Sequence, residues 1–139
     1  MNSLTTPIYT GTLNGKPLRF FRAPYADVHL PWHSFSDLML CCGIDPDLGP
    51  QLANFIREEH PEAIRTVAVD SSIFLIAAHY VAKGLIEQLA LAVRIPRKSI
   101  LSYQILTVEA WECAYGEACT VMFFSAFNNT NRACEAGTS

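Results

Sequence analysis

The stretch "SSIFLIAAHYVAKGLIEQLALAV", residues 71–93, is apolar almost throughout, with His79, Lys83 and Glu87 recurring every four residues on one thin stripe. A four-residue recurrence is helical periodicity, so the pattern predicts a largely apolar helix over about 72–93, capped by Ser71 or Ser72. A helix with so little polar surface must be covered on most sides, by the rest of a small domain or by another copy. The interruptions at His79, Lys83, Glu87 and Gln88 argue against a membrane span, because each is costly in hydrocarbon. Gly84 weakens the helix by ~1 kcal/mol relative to Ala and is read as a break or a close crossing.

What could cover it comes from the flanking segments. Residues 7–23, "PIYTGTLNGKPLRFFRA", read as two strands around Asn14-Gly15, since both residues tolerate the positive φ of a type I′ turn. Pro17 has no amide donor and puts the second strand at an edge or at its own start. "YADVHLPWH" is irregular around Pro31. Ser34 then caps a short helix, about 35–42, with Asp37 at its third position and Gly43 just past its end. Another helix begins near Pro50, with Leu52, Phe55 and Ile56 sharing one face; "AIRTVAV", 63–69, reads as a strand. Pro96 is placed at the start of a further helix. From Val108 onward Val108, Trp111, Tyr115, Cys119 and Met122 keep helical spacing, although "CTVMFF" favours strand. The expected fold is therefore α+β: an amino-terminal hairpin with one or two further short strands packed against four or five helices. Residues 1–127 form the domain and 128–139 a flexible tail.

The chain of 139 residues is half apolar, which is enough for one real core, but only 17% charged, below the usual ~25%. That deficit favours a self-associating face, and a homo-oligomer is expected. Net charge is −3, so no global field draws the chain to nucleic acid or to an acidic membrane. Five cysteines, an odd number with Cys41 and Cys42 adjacent, make a poor disulfide framework. With no signal peptide recognised, reduced thiols in a cytoplasm are expected.

Candidates for chemistry are few. His33 with Cys41 or Cys42 would make a cysteine nucleophile, but both cysteines fall at the carboxyl end of their helix, where the dipole raises a thiol pKa. Buried core cysteine is the plainer reading. His29, His33, Cys41, Cys42, Cys113 and Cys119 show no Cys-x(2–4)-Cys knuckle, so no metal is expected. Neither a glycine-rich phosphate loop nor a G-x-S-x-G elbow is present, so no cofactor and no enzymatic activity are expected. The basic residues remain. Lys16, Arg19 and Arg22 lie along the hairpin, with Arg19 facing opposite to the other two, and "RIPRKS" groups Arg94, Arg97 and Lys98.

The units "NGKPLRFF" and "LPWHSFSDLMLCCGI" together resemble the amino-terminal Bro domain of phage antirepressors and related viral proteins. Pro31-Trp32, Asp37 and Cys42-Gly43 stand at that family's Pro-Trp, acid and Leu-Gly positions, with His33 replacing the usual aromatic. "RTVAVDSSIFLIAAHY" is similar to its following strand and Ser-led helix, so the likeness spans about residues 8–85. The resemblance implies a small α+β regulatory domain of a phage or mobile element that binds DNA or a host or regulatory protein, without a cofactor. Arg19, Arg22, Arg94, Arg97 and Lys98 are the expected phosphate contacts. The alternative is a protein-interaction or inhibitor module acting as a homo-oligomer through the apolar helical surface at 73–93.

Overall fold

Asn14 and Gly15 take φ of 53° and 81°, and the hairpin they turn is the first unit of the fold. Its strands are β1 (Tyr9–Leu13) and β2 (Lys16–Phe21), paired from Tyr9↔Phe20 to Leu13↔Lys16. The computed structural model describes residues 7–25, 29–69 and 72–116. The expected tail at 128–139, the segment "CTVMFF" and Ser71 lie outside them.

β3 (Trp32–Ser34) leads directly into α1 (Phe35–Cys41), and a single turn of 3-10 helix (Pro46–Leu48) precedes α2 (Gly49–Glu59). β4 (Ile64–Val69) and β5 (Ser72–Ala77) follow, then α3 (His79–Leu91) and α4 (Lys98–Tyr115). The five strands form one antiparallel sheet in the order β1-β2-β3-β5-β4. Alternation along β2 places the helices. Arg19 reaches Asp37 of α1, whereas Phe20 stacks at 6.1 Å on Tyr103 of α4. So α1 and α4 lie on opposite faces of the sheet, and β3 in its middle is buried at all three residues.

The α+β class holds, with three strands beyond the hairpin where one or two were expected. The largest correction falls on 72–93. Its first six residues are strand β5, and α3 starts only at His79. The two strand-type segments "IRTVAV" and "SIFLIA" pair from Val69↔Ser72 to Ile64↔Ala77. A short apolar run has no period that separates helix from strand, so the spacing was decisive only where the polar stripe itself begins, at His79. Gly84 neither breaks α3 nor marks a close crossing, for a Cβ there meets nothing within 4 Å. The close approach is at Gly11, where a Cβ would come within 2.4 Å of the Leu106 side chain on α4. The helices expected from Pro96 and from Val108 are one, α4.

The joint between sheet and α1 rests on Asp37. Ser34 Oγ caps α1 by accepting the Asp37 N–H at 3.3 Å, while Asp37 turns back to β2. Its carboxylate accepts from Arg19 Nε (2.8 Å), Arg19 Nη2 (3.1 Å) and the Arg19 backbone N–H (3.0 Å). β3 pairs with β2 only at Phe20 and Phe21, because the chain becomes α1 immediately afterwards. Asp37 thus replaces the strand carbonyl that the Arg19 N–H would otherwise have met. Replacing Asp37 by Ala should destabilise the fold by about 1–3 kcal/mol, since it strips a largely buried N–H and a guanidinium of their acceptor together. Asp37→Asn, which retains an acceptor oxygen, should lose less; equilibrium denaturation of both variants checks this order.

Candidate functional site

The cysteine–histidine pair expected as an alternative is dispersed. Cys41 Sγ points to the Lys16 and Pro17 carbonyls at 3.6 Å each, and burial pushes its thiol up to about 12. Burial likewise raises Cys42 to about 11. His33 lies on the other side, edge-on to the Tyr103 ring at 6.4 Å. Neither ring nitrogen of His33 has a hydrogen-bond partner among the described residues, and the residue is wholly buried. His79 stacks on Tyr103 at 5.4 Å, with its Nδ1 3.4 Å from the Tyr103 hydroxyl. Burial holds His33 down to about 3, helped by His79, and His79 down to about 4, helped by Lys83. Both rings are therefore neutral parts of the core between β3, α3 and α4. Among the described residues no group of three or more His, Cys, Asp or Glu side chains could hold a metal ion.

The five basic residues expected at phosphates divide into two kinds. Arg19 is committed to Asp37, which raises its pKa further. Arg22 donates from Nη2 to the Ala114 carbonyl at 2.8 Å, and its guanidinium lies 4.9 Å from the centre of the Tyr115 ring. It therefore satisfies a last-turn carbonyl of α4 at the negative end of that helix. Arg19 and Arg22 turn to helices on opposite faces of the sheet, and both guanidinium groups are engaged within the fold.

Arg94, Arg97 and Lys98 are exposed where α3 passes into α4, and the hairpin turn is brought to the same place. Ser99 Oγ donates to Asn14 Oδ1 at 3.1 Å, and Asn14 Nδ2 donates to the Cys41 carbonyl at 3.1 Å. The exposed Lys16, next to the turn, thereby joins the three cations at one end of the molecule. Lys16 lies outside the set of phosphate contacts expected from the sequence; no local signal ties the turn at Asn14 to Ser99, a contact made only by the fold. A hollow of about 730 Å³ beside this corner is lined by Cys42, Gly43, Leu52, Leu89, Arg94 and one acid, Asp45. On the far side of the sheet from α4, a second hollow of about 600 Å³ separates α1, α2 and β5. It is apolar, with Phe35, Met39, Leu40, Ile73 and Leu75 along it and Arg57 at its rim, bonded to Asn54 at 3.0 Å.

Two outcomes follow from the buried groups. A histidine held neutral in the fold takes up its proton at about 6.5 once unfolded. Stability should thus be full above about pH 6.5 and fall as the pH drops towards 4 and then 3, because only the unfolded chain accepts those protons. His33→Leu, of similar volume and with no lost hydrogen bond, should stay within about 1.5 kcal/mol of wild type at pH 7 and flatten that fall. Denaturation measured across pH for both proteins tests the pair. Peptide-resolved alkylation of the folded protein at pH 7 should modify the exposed Cys113 well before Cys41 or Cys42.

Comparison with known protein families, with curated proteins and with solved structures finds no match to this chain.

Proposed function

We propose that this chain is a non-enzymatic regulatory module that holds a nucleic-acid backbone at the corner formed by Lys16, Arg94, Arg97 and Lys98. The observation that carries this reading is the arrangement of those four cations around the Asn14 turn, exposed and without an ion pair among the described residues. Exposed cations with no ion-pair partner among the described residues suit phosphates, which reward charge and position without any base-specific contact. The negative net charge makes the attraction local, so the molecule would approach nucleic acid in one orientation. Arg19 and Arg22 are left out of the contact set because their guanidinium groups are engaged within the fold. The resemblance to the Bro domain supports a phage or mobile-element regulator, with the protein acting in a cytoplasm.

The reading is tested by fluorescence anisotropy on a labelled DNA duplex. Binding at low salt should weaken with a log–log slope of about −3 to −4, the release expected for roughly four phosphate contacts. The double variant Arg94→Ala/Arg97→Ala should reduce that slope by about 2, whereas Arg22→Ala should leave it unchanged. Absence of binding by the wild-type protein at low salt overturns the reading.

A second reading, a protein-interaction or inhibitor module acting as a homo-oligomer, is favoured by a different observation: α4 exposes Leu101, Ile105 and Val108 together.

A further inference from the structure

α4 turns one side to the sheet through Tyr103, Leu106, Ala110 and Trp111, which are buried. On its outer side Leu101 is 61% exposed, Ile105 49% and Val108 40%. At about 100° per residue these three project within one narrow sector, at the i, i+4, i+7 positions through which helices pack on helices. The same sector includes Lys98 at one end and Glu112 at the other, both exposed and neither in an ion pair among the described residues. They stand symmetrically about Ile105, seven residues to either side. Along one helix the fourteen steps from Lys98 to Glu112 amount to about 21 Å, so the two side chains of a single chain cannot meet.

We propose that this face is the contact through which two copies of the chain pair, with their α4 helices antiparallel across a two-fold axis near Ile105. The occupant follows from the charge pattern. An antiparallel copy brings its Glu112 to Lys98 and its Lys98 to Glu112, with Leu101, Ile105 and Val108 from both copies between. A surface that is apolar in the middle and oppositely charged at its two ends is complementary to itself under two-fold rotation, which is what an isologous interface requires. A parallel arrangement would instead set like charges against each other at both ends. The contact is short, at the small end of specific interfaces, so the dimer should be concentration-dependent, in about the micromolar range.

The inference rests on the homo-oligomer reading and not on nucleic-acid binding; the two share Lys98, so pairing leaves Lys16, Arg94 and Arg97 for phosphates and takes the fourth cation. It moves the apolar contact away from residues 73–93, where the sequence had suggested it, and onto α4.

Sedimentation velocity of the full chain over a concentration series, with circular dichroism to verify folding, tests the proposal. Wild type should pass from monomer to dimer, and Ile105→Glu should weaken pairing by more than tenfold. Lys98→Glu or Glu112→Lys alone should weaken it several-fold by opposing like charges. The double swap Lys98→Glu/Glu112→Lys should restore it, because the pair re-forms between chains. Neither swap opposes the α4 dipole, so folding should be retained. A wild-type monomer at every concentration overturns both the proposal and the homo-oligomer reading, and hands the α4 face to another occupant. A dimer indifferent to Ile105→Glu, or single swaps not rescued by the double, overturns the α4 contact while leaving the homo-oligomer reading in place.

Discussion

The carboxylate of Asp37 joins what the chain would otherwise leave apart. β3 lasts only three residues before it becomes a helix, and a sheet interrupted there must do something with the backbone of β2. Asp37 supplies the answer from the first turn of α1, accepting both the Arg19 main-chain N–H and its guanidinium. One side chain thus sets the angle at which α1 leaves the sheet, closes an open rung of the ladder and fixes an arginine. The placing of α1 against the hairpin, and with it the bond from Asn14 to the Cys41 carbonyl, rests on this joint. So does the basic corner, because Asn14 touches Ser99 at the amino end of α4.

Across the sheet from that carboxylate the core contains polarity of another kind. His33 and His79 flank Tyr103 in the α3–α4 layer, uncharged and, for His33, without a hydrogen bond among the described residues. Such a ring costs more than a hydrocarbon of equal volume, since its nitrogens leave water and meet no partner. The aromatic contacts of Phe20, Tyr103 and the two imidazoles offset part of that cost by edge-to-face and stacked packing. Cysteine, histidine and tyrosine all occur in this interior, yet Cys41 faces the β2 carbonyls while both histidines face α4.

Much of the framework was legible because single residues with strong backbone preferences marked it. Asn14-Gly15, Ser34, Gly43 and Pro50 located the hairpin, the start and end of α1 and the start of α2 to within a residue or so. Residues 72–77 were illegible because an apolar strand and an apolar helix capped by serine share the same letters. Only the non-local pairing with 64–69 decides between them. The basic site was half legible for a similar reason. Composition identifies cations, but which are free depends on partners distant in sequence: Asp37 for Arg19, the Ala114 carbonyl for Arg22. The exposed side of α4 was hidden by its own apolar content, which on sequence grounds belonged to the core.

The strand order carries a further consequence. Two ribbons, β1–β2 and β4–β5, are each closed by neighbours in the chain, and β3 stitches them through two residue pairs on either side. The β2 side of that seam is local, but its β5 side forms only when segments some forty residues apart have found each other. The sheet is therefore two quickly made halves and one late suture, and whatever loosens Trp32, His33 or Ser34 should part it along that line rather than fray it from its edges.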